Sequence, residues 1–350
     1  MSFVNDLPRL RLAHVPTPLE PQPQLLTALL GNGAWPELWV KRDDLTGLSV
    51  TGNKVRKLEL LVADAQKRGA DTLITCGGVQ SNHCRATAAV AAQLGLRSIL
   101  FLRSEGPPPP PSGNLLLDRL LGAKTRFITR AQYQDRTRIM ADAAAEVARS
   151  GRRAHVIPEG GSNGLGCLGY LRCIEELRAQ VPNPHEPLTI LSSVGSGGTM
   201  AGLLLGVACY GLPWRVVGVN VCDDRAHFVE RITSILREAS PLLSNPAAAL
   251  LVAQAEGSID LRDGYVGRGY ALSQASELSL ITAVAQRSGL LLDPVYTGKA
   301  FYGLVGELKQ DPASLGSRVV FLHSGGVFGL LAAASELAEV LDPPKVRSHG

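Results

Sequence analysis

The 350-residue sequence predicts an α/β protein whose strands are mostly parallel and are joined by crossover helices. Short β-rich segments alternate with helical segments along most of the chain, which is the pattern of parallel sheets. Hydrophobic residues make up 45% and charged residues 19% of the chain, so it can bury a sizeable core. The length allows two domains of ordinary size, and we find no internal repeat.

The first half of the chain contributes the elements with the clearest composition. Residues 38–41 and the β-rich segment 72–76 predict strands, as do 98–102, 126–128 and 154–158. Helices are predicted from Lys54 onward, where apolar residues recur at helical spacing, and over the alanine-rich segment 85–94. Two further helices are expected at 114–121 and at 133–150, which contains no helix breaker. The proline run 107–111 predicts a surface loop.

In the second half, strands are predicted at 188–192, 214–221 and 319–322, and helices at 169–181, 200–209 and 273–288. Residues 225–256 are expected to be mostly helical, and a terminal helix follows the last strand. Residues 160–166 and 264–270 are glycine-rich connections.

Composition argues against several classes of protein. The net charge of +4 is spread along the chain without a basic block, so nucleic acid is not expected as a partner. No apolar run reaches membrane-spanning length, and residues 1–12 lack the apolar core of a signal peptide. The six cysteines form no CxxC pair, which predicts reduced thiols in a cytoplasmic protein and neither a disulfide framework nor a metal site.

The segment Thr51-Gly52-Asn53-Lys54 places a lysine at the expected start of a helix, with Lys57 one turn later on the same side. An amine at a helix start is pushed toward its neutral form, and a neutral lysine can form a Schiff base with an aldehyde. On this segment alone, a solvated basic helix start is the simpler interpretation.

Four glycine-rich loops follow predicted strands, at 77–83, 160–164, 195–199 and 324–326. In open α/β sheets, ligands bind at the carboxyl ends of strands, and glycines let backbone N–H groups approach them. The loop Gly195-Ser196-Gly197-Gly198-Thr199 suits a phosphate especially well, because it offers consecutive N–H donors, two hydroxyls and a following helix.

Three kinds of phosphate-bearing ligand are candidates for this loop. Gly195 and Gly197 begin a dinucleotide fingerprint, but Met200 stands where its third glycine belongs, which weakens the dehydrogenase interpretation. Asp223 follows the next predicted strand and could serve as the ribose-binding acid, so that interpretation stays open. No lysine followed by serine or threonine completes a Walker loop. Pyridoxal phosphate remains, because it needs both a lysine for its aldehyde and an anion site for its phosphate.

Several segments together resemble one enzyme family across nearly the whole chain. They are 51–59, 77–83, 195–199 and 293–299, in the expected order. They are similar to the D-cysteine desulfhydrase and 1-aminocyclopropane-1-carboxylate deaminase family of pyridoxal phosphate enzymes. The resemblance implies the tryptophan-synthase-β-like fold, called fold type II: two open, twisted, mostly parallel sheets flanked by helices. It also implies a large domain (1–54 and 164–350), a small inserted domain (55–163) and an active site in the cleft between them.

The resemblance implies a role for each matching residue. Lys54 corresponds to the lysine that binds the cofactor covalently, Ser81 to the active-site serine, and Asn82 to its neighbour at the cofactor. The phosphate loop corresponds to Gly195, Ser196, Gly197, Gly198 and Thr199, with Lys57 as an additional phosphate contact. Tyr270 and Tyr296 correspond to two tyrosines on the substrate side.

Thr297 bears on the choice of reaction. Deaminases of the family resemble one another in having glutamate directly after the second tyrosine, which keeps the pyridine nitrogen protonated. Thr297 offers only a hydrogen bond there, and this favours β-elimination of D-cysteine, whose sulfide is a good leaving group. The alternatives are cyclopropane-carboxylate deamination and sulfite release from cysteate. Outside the family stands a cofactor-binding protein without activity.

The expected partners are a small amino-acid substrate and a second copy of the chain, as a homodimer. The segment His323-Ser324-Gly325-Gly326 departs from the family's usual His-Thr-Gly-Gly, which bears on the pocket wall.

Overall fold

The computed structural model describes residues 3–4 and 7–342, and within these ranges ten strands form two sheets. In the six-stranded sheet the first strand is antiparallel to the second, and the other pairs are parallel. Its strands, in spatial order, are β1 Leu19–Pro21, β2 Glu37–Lys41, β10 Arg318–Leu322, β7 Leu188–Val194, β8 Trp214–Asn220 and β9 Asp260–Arg262.

The four-stranded sheet is entirely parallel. Its strands, in spatial order, are β5 Lys124–Ile128, β4 Arg97–Arg103, β3 Thr72–Gly78 and β6 Ala154–Val156. The prediction of two mostly parallel sheets is therefore confirmed. The positions of the domain boundaries, which the sequence placed after residues 54 and 163, stay a prediction.

Helices connect the strands and cover the sheets. They are α1 Leu25–Leu30, α2 Lys54–Lys67, α3 Asn82–Gln93, α4 Gly113–Leu120, α5 Arg130–Gln134, α6 Arg136–Arg149, α7 Gly164–Gln180, α8 Gly198–Tyr210, α9 Arg225–Ala239, α10 Ala248–Gly257, α11 Ala275–Ser288, α12 Thr297–Gln310, α13 Val327–Ala332 and α14 Ala334–Leu341. Among the described residues, no helix has the length and apolarity needed to cross a bilayer.

Both faces of the large sheet are buried, because successive side chains of its inner strands point to opposite sides. In β10, Val320 packs with α7, α8 and α9, whereas Phe321 packs with α11 and α12 on the other face. Burial on both faces explains why these strands are continuous apolar runs, without the alternation of a half-exposed strand.

A buried ionic cluster fixes the start of α2. The guanidinium of Arg56 donates to both carboxylate oxygens of Asp43, each at 2.8 Å, and to Glu176 on α7 at 2.7 Å. Lys41 on β2 reaches Glu176 at 3.1 Å. The cluster therefore joins α2, α7 and the end of β2, and it anchors the first turn of α2, where Lys54 lies.

Several boundaries differ from the sequence prediction. The helix expected at 169–181 begins five residues earlier, at Gly164, where the side chain of Asn163 accepts a hydrogen bond from the N–H of Gly166 at 2.8 Å. The single helix expected at 133–150 is two helices that meet at Asp135. Four elements, β1, β9, α1 and α12, were not predicted from the sequence. The predicted helix start at Lys54 is confirmed.

Candidate active site

A cleft of about 810 Å³ lies where the carboxyl ends of strands from both sheets meet. Of the residues predicted to form the site, the majority line this cleft: Lys54, Ser81, Asn82, Gly195, Ser196, Gly197, Thr199, Tyr270 and Tyr296. Lys57, Gly198 and Thr297 lie behind its wall. The chain thus brings together residues as far apart in sequence as Lys54 and Tyr296, as the carboxyl-edge rule for α/β sheets predicts.

Lys54 begins α2, and its side chain is half-buried at the cleft. Its amine donates to the side-chain oxygen of Asn53 at 2.9 Å, and the amide of Asn53 donates to the hydroxyl of Thr199 at 3.0 Å. The pKa of Lys54 is lowered to about 8, chiefly by burial; the charge of Asp293 opposes this shift and the charge of Arg85 adds to it. The neutral, nucleophilic amine is therefore accessible near physiological pH, two hydrogen bonds away from the glycine loop.

The glycine loop lies between the end of β7 and the start of α8. Gly197 has a φ of +80°, a left-handed conformation that glycine adopts without strain. A Cβ at Gly198 would lie 2.6 Å from the hydroxyl oxygen of Ser162 and 2.9 Å from the amine of Lys57, so the space beside it admits no side chain. The loop exposes backbone N–H groups at the positive end of the α8 dipole, which is an anion site.

Lys57 lies beneath this loop and is 1% exposed. Its amine donates to the carbonyl of Gly160 at 3.2 Å and to the hydroxyl of Ser162 at 3.1 Å. Both acceptors are neutral, and burial, followed by the charge of Lys54, holds the pKa of Lys57 well below its usual value. The interpretation of this segment as a solvated basic helix start is therefore wrong for Lys57, and also for Arg56.

The start of α3 also lines the cleft and offers hydrogen-bond donors suited to an anion. The hydroxyl of Ser81 accepts the N–H of Cys84 at 3.2 Å and caps the helix, which leaves its own proton free to donate. The N–H groups of Asn82 and His83 occupy the first turn, where a helix provides no acceptor. The side chain of Asn82 accepts from Asn114 at 3.0 Å and is thereby held in place.

Tyr270 and Tyr296 form a pair whose hydroxyl oxygens are 2.7 Å apart. The ring of Tyr296 lies beside Gly195, with the amine of Lys54 6.0 Å from its centroid, and the ring of Tyr270 lies against Gly78. Burial is the main cause that raises the pKa of each tyrosine. Both hydroxyls therefore stay protonated at neutral pH and can act as proton donors.

Thr297 is fully buried at the start of α12 and faces Asp293. Its hydroxyl donates to one carboxylate oxygen of Asp293 at 2.7 Å and accepts the N–H of Asp293 at 2.8 Å. The other carboxylate oxygen accepts the N–H groups of Val295 and Tyr296, each at 3.0 Å. Asp293 therefore fixes the backbone that carries Tyr296, and a contact from Thr297 to a cofactor stays a prediction.

Two residues of this region were missed by sequence reasoning. Ser162 joins the loops, since its hydroxyl lies 2.8 Å from that of Ser196 and accepts the N–H of Gly198 at 3.3 Å. Its place in a glycine-rich connection was the available signal. Arg103 ends β4 at the cleft and stacks on Tyr270, and no local pattern marked it.

Comparison with known proteins agrees with this geometry. The family model described as "Pyridoxal-phosphate dependent enzyme" matches residues 10–325. The chain is 38% identical to a mitochondrial bifunctional D-cysteine desulfhydrase/1-aminocyclopropane-1-carboxylate deaminase of Arabidopsis thaliana, over 94% of this chain and 81% of the relative. It is also 38% identical to a D-cysteine desulfhydrase of Klebsiella pneumoniae, over 95% of this chain and 98% of the relative.

A crystal structure of an ACC deaminase homologue, where ACC is 1-aminocyclopropane-1-carboxylate, superposes with a TM-score of 0.84 at 34% identity. The match covers 97% of this chain and 98% of that structure. The fold is accordingly the tryptophan-synthase-β-like arrangement of fold type II. The chain belongs to the pyridoxal-phosphate-dependent enzymes and, within them, to the family of D-cysteine desulfhydrases and 1-aminocyclopropane-1-carboxylate deaminases.

Proposed function

We propose that this protein is a pyridoxal-phosphate-dependent carbon–sulfur lyase that converts D-cysteine, or a close analogue, to pyruvate, hydrogen sulfide and ammonia. The observation that carries the proposal is the hydrogen-bonded path from the amine of Lys54 through Asn53 to Thr199 of the glycine loop. This path supports the proposal because it joins a nucleophilic amine to a candidate anion site within one cleft, and the cofactor requires both.

The residues fit the cofactor on structural grounds. The amine of Lys57 is buried with only neutral acceptors, beside a glycine loop in which a Cβ at Gly198 would find no room. A buried cation without a counter-ion is costly, and a phosphate at the loop would supply the missing charge. Lys54 would hold the aldehyde. Gly195 to Thr199 would hold the phosphate together with Lys57.

When bound, pyridoxal phosphate supplies an electron sink that stabilises negative charge on the substrate's Cα. Lys54 would accept the Cα proton on Nζ, because its lowered pKa allows the amine to be neutral. The Tyr270–Tyr296 pair shares one proton within its hydrogen bond and retains another, which it can donate to the departing sulfur. Lys54 can accept a proton because its amine can be neutral, and the two tyrosines can donate one because their hydroxyls stay protonated.

The α-carboxylate of the substrate is assigned to the start of α3. The free hydroxyl proton of Ser81 and the first-turn N–H groups are available there, in the same cleft as the glycine loop. Charge-assisted hydrogen bonds of this kind are about twice as strong as neutral ones. Binding the carboxylate at this site orients Cα toward Lys54.

Two relatives' reactions are in competition, and the residue after Tyr296 favours one. Thr297 is a hydroxyl already bonded to Asp293, so it provides no ionisable group of its own for a pyridine nitrogen. A weaker electron sink suffices when sulfide leaves from Cβ, whereas ring opening demands a stronger one. D-Cysteine desulfhydration is therefore preferred to deamination of the cyclopropane acid, which remains the second candidate because a bifunctional relative is named for both.

One comparative assay tests the proposal. The purified, cofactor-loaded protein is supplied in parallel with D-cysteine, L-cysteine and 1-aminocyclopropane-1-carboxylate, and sulfide and ammonia are measured. Sulfide release from D-cysteine with the highest kcat/KM is the expected result. Ammonia release from the cyclopropane acid at an equal or higher kcat/KM would favour the second candidate. A colourless protein without turnover of any of them would contradict both.

We further propose a cytoplasmic homodimer in which residues 1–54 and 164–350 form the large domain and residues 55–163 the small one. All six cysteines are free and buried, which suits a reducing compartment. The two sheets support the division, since the strands of the smaller one lie between residues 72 and 156. The dimer rests on family resemblance, and sedimentation equilibrium tests it.

A further inference from the structure

Lys299 is a fully buried lysine in the first turn of α12. Its amine donates to the backbone carbonyls of Val266, Gly269 and Leu272 at 2.6, 2.7 and 3.1 Å. An ammonium has three protons and a neutral amine has two, so three acceptors at these distances require the charged form. The charge is therefore bound to the backbone of a single segment, residues 264–272, which we call the 264–272 loop.

The 264–272 loop depends on contacts from outside for its conformation. Backbone hydrogen bonds of 3.3 and 3.2 Å close two consecutive turns within it. The three carbonyls that bind Lys299 are spaced three residues apart, and these turns direct them to one point. Ala271 has a φ of +58°, a left-handed conformation that is unfavourable for a residue with a Cβ. Three hydrogen bonds to one buried ammonium stabilise the loop against this strain.

The loop carries Tyr270, and α12 carries the tyrosine that pairs with it. Tyr296 directly precedes α12 and lies three residues before Lys299. The hydroxyl oxygens of the two tyrosines are 2.7 Å apart, and both residues line the cleft. The start of α12 therefore holds Tyr296 through the chain and Tyr270 through the ammonium of Lys299. This link sets the position of one hydroxyl relative to the other.

Contacts from the smaller sheet orient the ring of Tyr270 but do not replace this link. Its ring centroid is 5.0 Å from the guanidinium of Arg103, and the ring lies against Gly78. Neither contact reaches the backbone that Lys299 binds. Burial lowers the pKa of Lys299, and the charge of Glu277 on α11 opposes that shift. A buried cation is costly compared with an apolar side chain, so packing alone does not account for a lysine here.

We propose that Lys299 is a positioning residue: its ammonium fixes the 264–272 loop so that the hydroxyl of Tyr270 can protonate the departing sulfur. This inference rests on the proposed β-elimination. In that step the bond from Cβ to sulfur breaks with its electron pair on sulfur, and a proton passes from the tyrosine pair to that sulfur. Chloride on Cβ would leave as the anion and needs no proton. Lys299 is therefore important for a thiol leaving group and much less so for chloride.

The test compares D-cysteine with β-chloro-D-alanine as substrates of the cofactor-loaded protein. Lys299→Met keeps the length of the side chain and removes its N–H donors, and Lys309→Met, at the exposed end of α12, is the matched control. The ratio of kcat for D-cysteine to kcat for β-chloro-D-alanine should fall about tenfold or more in Lys299→Met and stay within about twofold in Lys309→Met.

A double variant shows whether Lys299 acts through the tyrosine. Added to Tyr270→Phe, Lys299→Met should lower the ratio no further, because both changes remove the same proton donor. A further fall of about tenfold in the double variant would overturn the proposal. So would an equal fall in kcat for both substrates in Lys299→Met, which is the result expected of a merely structural role.

Limited proteolysis gives a readout independent of turnover. Arg268 is exposed within the loop, and trypsin cleaves after it when the loop opens. Cleavage there, identified by mass spectrometry, should be about tenfold faster in Lys299→Met than in the wild type and unchanged in Lys309→Met. Unchanged cleavage in Lys299→Met would overturn the link between the ammonium and the loop. If Lys299→Met fails to fold, Lys299→Gln, which keeps two donors on a shorter side chain, should show smaller changes in the same directions.

The proteolysis also separates this inference from the proposed function. If the protein lacked lyase activity, the kcat ratios could not be formed, but the cleavage rates would still support or refute the role of Lys299 in holding the loop. The two failures are thereby distinguishable.

Discussion

Replacing Lys57 with methionine separates cofactor binding from stability. Methionine has a similar volume but lacks the amine that lies beneath the glycine loop. A hydrogen bond to a charged group contributes about 1.5–3 kcal/mol. With 1.4 kcal/mol per tenfold, its loss should weaken pyridoxal phosphate binding by about 10–150-fold. Binding must also protonate an amine whose pKa is lowered by burial, which opposes part of this gain and favours the lower half of the range.

The same substitution should not destabilise the cofactor-free protein. A lysine whose folded-state pKa lies below its unfolded value binds fewer protons when folded, so its contribution opposes folding at pH values below the unfolded pKa. Methionine removes that cost, and the melting temperature of the cofactor-free protein should stay constant or rise. The stability of the wild type should increase with pH through this window more steeply than that of the variant.

Fluorescence titration with pyridoxal phosphate and with pyridoxal provides the assay. Pyridoxal lacks the phosphate, so Lys57→Met should reduce its affinity far less than that of pyridoxal phosphate. Lys67→Met, on the exposed end of the same helix, is the matched control and should change neither affinity. An equal loss for both ligands, or a cofactor-free protein that is destabilised by more than about 2 kcal/mol, the usual cost of a lost core contact, would refute the reasoning.

Three further predictions follow from titrating or protonated groups. Attachment of the cofactor to Lys54 should accelerate as pH rises through about 8, where its amine loses a proton; a rate independent of pH between 6 and about 9 would contradict this. Tyr270→Phe should lower kcat for cysteine by about 100-fold or more while the visible band of the bound cofactor persists, as for a lost proton donor; an unchanged kcat would assign the pair to packing. Asp118 is buried, neither of its carboxylate oxygens has a partner within residues 7–342, and burial raises its pKa to about 7. The carboxyl of Asp118 ionises near pH 4 in the unfolded chain and at about pH 7 in the folded protein, so the folded protein loses stability as pH rises from about 4 to 7. Asp118→Asn should therefore raise the free energy of unfolding at pH 8 by about 1–3 kcal/mol and leave it unchanged at pH 4. Denaturant unfolding at both pH values measures it, and equal gains at both would exclude the mechanism.

The parts of the site that sequence revealed are those with local signatures. A lysine after a Gly-Asn turn and a glycine loop after a strand each reflect a backbone requirement that neighbouring residues display. The role of Lys57 followed from helical spacing, which placed it on the same side as Lys54. The burial of Lys57 could not be predicted in this way, because it depends on the loop containing Gly160, about one hundred residues away.

The errors have a tertiary origin. Gly164 and Gly166 suggested a loop, yet both lie in α7. A Cβ at Gly164 would overlap the backbone of Glu238, and a Cβ at Gly166 would overlap the carbonyl oxygen of Gly161. These glycines permit close packing and do not break the helix. The three-residue strands β1 and β9 are too short for any periodic pattern. Arg103 was missed since both rings that hold it, those of Tyr133 and Tyr270, come from distant parts of the chain.

The most direct test of the account is to locate the covalent attachment of the cofactor. Borohydride reduction of the loaded protein, followed by proteolysis and mass spectrometry, identifies the modified residue. We predict a single pyridoxyl group on Lys54, whose amine is partly exposed at the cleft, and none on Lys57, whose amine is enclosed beneath the glycine loop. Modification at Lys57 or Lys299, or a loaded protein in which Lys54 stays unmodified, would contradict the central claim.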